Sequence, residues 1–344
     1  MKRNWLTALV LLLVAGLIYL LTWPVPIDPA EWTPEPRPSS EDGPFAYNEK
    51  LAGVEWLARD FGSGPEAIAI GPDGALYTGY VDGRVVRLDP EGGDPTVLAD
   101  TEGRPLGLSI TENGEVIVAD AVRGLMKVSD GYAYPLSVSA AGVPYRFVDD
   151  VDYSSQSRRA YFSDASSKFG YHEVMADVFE HRGHGRIMAY DLDTDAVEVL
   201  ADGLYFANGV ALGPDEDYLL FTETTRYRVQ RLWLKGDRAG ETEVLIDNLP
   251  GFPDNITFNG RDRFWLAIYA PRTAALDALL PRPFLRKMIF RLPESLQPGP
   301  GMHAFVLGLD LDGNVVANLQ YKGEGACAPV TSAIRSRVAI SACL

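Results

Sequence analysis

Residues 206–221 read FANGVALGPDEDYLLF. A short apolar strand, with Val210 and Leu212 two residues apart, runs into a Gly-Pro-Asp turn, and a second apolar strand follows from Tyr218 to Phe221. The same unit returns along the chain: GPEAIAIGPDGALY at 64–77, RPLGLSITENGEVI at 104–117, FVDDVDYSSQSRRAYF at 147–162 and FPDNITFNGRDRFW at 252–265. The turns carry Asp-Gly, Asn-Gly or similar pairs, whose backbone freedom suits tight hairpins. Further strands follow some units, such as GRVVRLD at 83–89 and GRIMAYDLD at 185–193. Strands that restart one motif every forty-odd residues, without helices between, predict an all-β propeller. A sandwich would not restart the same unit.

Aligning the motif starts brings Glu66, Leu106, Asp149, Asn208 and Asp254 into one register, and a sixth start fits CAPVTSAI with Val330 in the same slot. The expectation is a six-bladed β-propeller over residues 47–344. Its last blade is expected to be incomplete, because RSRVAISACL ends the chain before a full set of strands. The segment GVEWLARDF at 53–61 is the expected closing strand of that blade. Two insertions, 166–185 and 270–288, follow second strands and belong on one rim; the latter has a helical pattern before Pro281.

In a propeller the first strand of each blade lines the central channel, so the aligned slot is the candidate site. Four of its six positions carry oxygen donors: Glu66, Asp149, Asn208 and Asp254. Buried carboxylates facing one another are costly unless a cation compensates them. An oxygen-only set points to calcium, and the absence of His or Cys from it disfavours zinc. The plain alternative is that these residues cap turns at the strand starts. Asp150 and Asn255, next in sequence to two of the four, are either further ligands or groups that support them.

The chain has 344 residues and a net charge of −16, which excludes the basic face that nucleic acid requires. Its two cysteines, Cys327 and Cys343, do not make a disulfide framework, and no bond between them is expected. The N-terminus differs in kind. Lys2 and Arg3 precede an uncharged run from Trp5 to Trp23. Nineteen helical residues span roughly 28 Å, close to a bilayer core. Aromatic residues sit near its ends, and LLTWPVP makes a poor cleavage site. The reading is an uncleaved transmembrane signal anchor over 1–23. Its N-terminus is expected to be cytoplasmic, and the propeller periplasmic, lumenal or extracellular. Residues 24–46, rich in Pro and acid, read as an extended tether.

Three of the four histidines, His172, His181 and His184, fall in the 166–185 insertion, and His303 lies beyond it. The charged, glycine-rich context EHRGHGR makes the H-x-x-H pair a solvated loop rather than a metal site, with one lid histidine left as a substrate contact. Ser166 and Ser167 lack a G-x-S-x-G context, and GPDG at 71–74 is turn chemistry rather than a phosphate loop.

FVDDVDYSSQSRRAYFSDASSKFGY, GRIMAYDLDT, LYFANGVALGPDEDYLLFTET and NLPGFPDNI, in that order, resemble the strictosidine synthase-like family, including its adipocyte plasma membrane-associated branch. The resemblance runs from about residue 50 to about residue 334. It implies a membrane-anchored six-bladed propeller of the superfamily that includes gluconolactonases and paraoxonase-type arylesterases, with one calcium at the channel. It carries the calcium ligands onto Glu66, Asp149, Asn208 and Asp254. Asp149 departs from the asparagine that relatives often hold there. The glutamate that drives condensation in true strictosidine synthases has no match here, since Glu324 sits in a different context. The expected activity is therefore calcium-dependent hydrolysis of a small lactone or aryl ester, with Asp254 as base or nucleophile. A non-enzymatic binding propeller with a structural calcium is the alternative.

Overall fold

The structure is a computed structural model that describes residues 2–58, 61–297, 299, 301–335 and 339–343. Five four-stranded antiparallel sheets follow one another along the chain, each with its strands in sequence order. Their inner strands are Ile68–Ile70, Pro105–Ile110, Val148–Ser154, Ala207–Leu212 and Gly251–Phe258, and define blades 1 to 5. The sixth motif start does form a strand, Val330–Arg335, but it pairs only with Ala339–Cys343 in a two-stranded sheet. The propeller thus has five full blades rather than six. The segment 53–61 adds no strand among its described residues, so the expected closing strand is absent there. The ring is bridged instead by side chains: Thr257 of blade 5 donates to the Ala333 carbonyl at 2.6 Å, and Thr331 donates to the Glu66 carbonyl at 2.7 Å.

Adjacent sheets pack face to face. Leu212, Leu219 and Phe221 of blade 4 meet Tyr161 and Ile187 of blade 3 in one cluster. Trp265, Ala267 and Val306 of blade 5 cover Val330 and Ala333 of the two-stranded sheet. Each fully buried Leu, Ile or Phe contributes about 1.5–3 kcal/mol, so these interfaces hold the ring together. Cys327 is disulfide-bonded beside this last interface, against the expectation from cysteine count; its partner lies outside the described side chains.

The chain's helices gather at one rim. Helix α1 is Lys2–Thr22, α2 is Val174–Glu180 in the first insertion, and α3 (Ala274–Leu279) and α4 (Pro283–Phe290) flank Pro281 in the second. Val148, at the start of its strand, pairs with Asp164, at the end of the next, so the loop holding α2 shares a rim with the strand starts. Residues 24–46 are extended as expected, but they are strapped to the propeller. The Asp28 amide donates to Glu180 of α2 at 2.7 Å, and Arg272, almost fully buried, donates to the Glu35 carbonyl at 2.7 Å. Farther along, Asn48 takes the Gln320 amide at 3.1 Å and covers the outer edge of blade 5.

Candidate calcium site at the channel mouth

The inner strands share a local defect. Register shifts fall between Pro105 and Gly107, Val148 and Val151, Ala207 and Val210, and Pro253 and Ile256. Each bulge spans the slot position, where a bulge re-aims the side chain away from the plain alternation of a strand. Asp149, Asn208 and Asp254 are buried at these bulges, and Glu66 is buried just before the inner strand of blade 1, which has no register shift. The channel is narrow at this level. A Cβ added to Gly107 would lie 2.5 Å from Asp150, and one added to Gly209 would lie 2.6 Å from the Asp254 carbonyl. Glycine after the slot lets neighbouring inner strands approach backbone to backbone.

Asp150 and Asn255 hold the site from behind. Both Asp150 carboxylate oxygens accept backbone amides at 2.9 Å, from Val151 and, across the blade boundary, from Val210. Asp152 repeats the device, accepting the Leu212 amide at 2.8 Å. These side chains stand in for the backbone ladder that separate blades cannot share. Asn255 donates to both oxygens of Glu66, at 3.1 and 3.2 Å.

Burial, first, pushes the Glu66 carboxyl up to about 7, against the pull of Arg104 and the Asn255 bond. Burial raises Asp149 well above the carboxylate range, and the charges of Glu66, Asp254 and Asp150 add to it. Asp254 is raised by burial and by Glu66, while a bond to Asn208 opposes the shift. All three buried carboxyls are thus raised, with Arg104, Asn255 and Asn208 offsetting only part of the cost. The side-chain oxygens of Asn208 and Asn255 are buried without a hydrogen-bond partner. Among the described residues, no three His, Cys, Asp or Glu side chains are grouped closely enough to hold a metal ion. Raised carboxyls, an orphaned amide oxygen and an all-oxygen donor set fit a hard cation at the slot.

Three residues above the slot were not singled out by sequence. Arg104 is buried, donates to the Gly64 carbonyl at 2.8 Å and lies 5.7 Å from the Tyr171 ring of the first insertion. Tyr269 is raised by burial and by the nearby charges of Asp254, Tyr171 and Glu66. The register holds a signal for Arg104: it lies two residues before the Leu106 slot. Leu106, Phe147 and Phe206 form an apolar wall with Tyr171 packed against it, and Phe147 meets Phe206 edge-on at 5.4 Å.

The histidines depart from expectation. His181 is buried rather than solvated, stacked on Trp32 of the strap at 4.5 Å, and neither ring nitrogen has a partner. His184 pairs with the buried Glu180 at 2.7 Å, alongside Lys168 at 2.6 Å. Both serve the seam between strap and insertion. His172 lies exposed beside Tyr171.

Residues 149–237 match the strictosidine synthase family model, and residues 43–88 match the N-terminal model of strictosidine synthase-like proteins. Protein STRICTOSIDINE SYNTHASE-LIKE 4 of Arabidopsis thaliana is 36% identical over 282 residues, covering 80% of this chain and 75% of the relative. The chain belongs to the strictosidine synthase-like family. The adipocyte plasma membrane-associated protein of Danio rerio is similar over a longer span, 34% identical across 90% of this chain and 80% of its own. Among solved structures, a gluconolactonase from Xanthomonas campestris superposes with a TM-score of 0.56 at 16% identity, covering 79% of each chain. A calcium-binding regucalcin from Agrobacterium tumefaciens gives 0.55 at 18% identity, over 78% of this chain and 77% of its own. These two likenesses concern the fold. Within the strictosidine synthase-like family, this chain reads FVDD at the third slot and carries an apolar N-terminal helix whose Trp5–Thr22 segment is a candidate membrane span.

Proposed function

We propose that this protein is a membrane-anchored, calcium-dependent hydrolase of lactones or aryl esters, without strictosidine synthase activity. The observation that carries the proposal is the burial of four oxygen donors, Glu66, Asp149, Asn208 and Asp254, at neighbouring inner-strand starts, with all three carboxyls raised by that burial. These four would hold calcium, which when bound would polarise a carbonyl oxygen and stabilise the charge developing on it. Asp254 acts as the base that takes a proton from water, or as the nucleophile itself. Arg104 and Tyr269 lie beside it as polar groups that orient the substrate. Leu106, Phe147 and Phe206 take an apolar or aromatic portion and exclude water. The likeness in fold to a gluconolactonase and to a calcium-binding regucalcin agrees with this reading.

A second reading, a binding propeller with a structural calcium, draws on one feature. The sixth position is a two-stranded sheet tied to Glu66 through Thr331, so a cation at Glu66 would brace an otherwise open ring. The full chain in detergent, assayed on phenyl acetate and a γ-lactone with calcium and with chelator, separates the two. Turnover that needs calcium and falls about 10²–10⁴-fold in Asp254→Ala supports the hydrolase. Calcium-dependent stabilisation with no turnover supports the structural reading.

A further inference from the structure

We infer that the channel-mouth rim of the propeller is a lipid-docking surface: it lies on the bilayer that holds α1, and the opposite rim faces away. The inference rests on α1 being a membrane anchor, and on three observations.

The first is where α1 ends. Arg291, just past α4, donates to the Trp23 carbonyl at 2.5 Å and to the Leu20 carbonyl at 2.8 Å, and Tyr19 donates to the Arg291 carbonyl at 3.2 Å. The last turn of a helix leaves its carbonyls without partners, and here a guanidinium supplies them. The span is thereby fastened to α4, and α4 to α2: Arg286, fully buried, donates to the Phe179 carbonyl at 2.8 Å. Ile27 of the strap closes the joint by packing with Phe169 and Phe179. No free linker separates span from propeller, and the junction sits on the rim of the channel mouth.

The second is the chemistry of that rim. Val81 and Val122, in loops of blades 1 and 2, and Val143, in a short strand pair between blades 2 and 3, are exposed, as are Met175 on α2 and Phe284 and Leu285 on α4. Val122 keeps 58% of its surface and Phe284 55%. These side chains come from separate elements on the mouth side of the ring. Lys287, paired with Asp28 of the strap at 3.4 Å, and Arg282, which donates to the Ala278 carbonyl, stand beside the apolar pair on α4.

The third is the contrast with the far end. Its hairpin turns read GPDG at 71–74, TENG at 111–114, GPDED at 213–217, KGDRAGE at 235–241 and DLDGN at 310–314. No exposed large hydrophobic residue falls in these turns. Trp56 and Leu57, exposed near that end, belong to the segment before blade 1, where Leu57 packs by Gly92. Acids such as Asp82, Glu102 and Asp202 are exposed at the mouth as well, and Tyr132 and Val316 are exposed in strands leaving far-end turns, so what sets the mouth apart is its apolar loop tips and helix residues beside the span, not its charge. Exposed apolar surface continuous with a membrane span marks a membrane contact. One consequence concerns substrate: the mouth opens toward lipid, so an amphiphilic ester or lactone partitioned into the bilayer reaches it directly.

The test uses the full chain reconstituted in phosphatidylcholine vesicles. Single cysteines are introduced as Val122→Cys, Phe284→Cys and, on the far rim, Asp237→Cys, each labelled with an environment-sensitive fluorophore and challenged with lipids that carry a quencher in the acyl chain. The expected result is blue-shifted emission and several-fold stronger quenching at the two mouth positions than at Asp237. Equal quenching at all three, with the protein still floating with the vesicles, overturns the docking while leaving the anchor. Failure to float overturns both. Neither outcome depends on hydrolysis, so loss of the enzymatic reading is seen separately in the ester assay.

Discussion

Asn255 holds Glu66 with both carboxylate oxygens at once, its amide nitrogen 3.1 Å from one and 3.2 Å from the other, across 189 residues of sequence. The bond ties blade 5 to blade 1 directly, inside the channel. It also fixes the orientation of a candidate ligand before any ion arrives, and groups behind a metal ligand weigh nearly as much as the ligand.

Asn255→Ala removes that donor and leaves a buried carboxylate unsupported. The expected cost is about 1–3 kcal/mol in unfolding free energy. Calcium affinity is expected to fall about 10–100-fold. Urea titration and calorimetry read the two effects on the same sample. An unchanged affinity would show that Glu66 is not a ligand held by Asn255.

Asp149 is the slot where this chain carries an extra negative charge. Asp149→Asn keeps the shape and an oxygen donor but removes one of three coupled carboxylates. In chelator at pH 7 the variant is expected to be more stable than the parent by about 1–3 kcal/mol, the scale of an unrelieved buried polar group. With calcium the order reverses in binding, because the parent offers more charge to the ion. Matched melts with chelator and with calcium check the crossing. Equal stability in chelator would mean that burial of the Asp149 carboxyl carries no cost that the amide relieves.

His181 gives a pH dependence with a definite sign. Burial and the nearby Arg226 and Arg286 guanidinium groups lower it from 6.5 to about 3. The folded protein keeps this ring neutral while the unfolded chain protonates it, so stability is full above pH 6.5 and is lost as pH falls toward 3. The slope is at most about 1.4 kcal/mol per pH unit. Asp177, on the same helix, is raised by burial to about 7 and acts oppositely: its contribution is present at low pH and is lost as pH rises from 3.8 to 7. The comparison that isolates His181 is therefore the parent against His181→Phe, which keeps the stacking on Trp32. The parent's stability relative to the variant is expected to fall steadily between pH 6.5 and 4 in guanidinium titrations. A pH-independent difference would count against a neutral buried ring.

The repeat, the slot and the rim of the insertions were legible because hairpin turns and alternation are local. Six strand starts, four of them oxygen-bearing, can be aligned without knowing how strands pair. What escaped depends on distant contacts. Val330 follows the inner-strand pattern as well as Val210 does, but strand count in its sheet is decided by what comes to lie beside it, and only Ala339–Cys343 does. His181 reads as solvated in EHRGHGR, yet Trp32, 149 positions earlier, covers it. The strap itself looks like a tether because prolines and acids bury little. Its hold comes from backbone carbonyls that accept from Arg272, Arg286 and Arg291, and a carbonyl has no signature in sequence.

Gly209 is where the fold and the site meet most tightly. A methyl group there would fall 2.6 Å from the Asp254 carbonyl and 2.6 Å from the Asn255 Cα, both backbone atoms that cannot swing aside. Gly209→Ala must therefore push the inner strand of blade 5 away from that of blade 4, carrying Asp254 away from Asn208. Overpacking of this kind costs about 1–3 kcal/mol. The loss of calcium binding should exceed what that destabilisation explains, because ligands from two blades part company while each blade stays folded. Gly114→Ala, in an open turn with positive φ and nothing near its Cβ, is the control: it costs stability through backbone strain alone and leaves calcium binding intact. Calorimetry on both variants, each verified as folded by circular dichroism, reads the contrast. Equal calcium affinity in the two would mean that the blade 4–blade 5 spacing does not set the site.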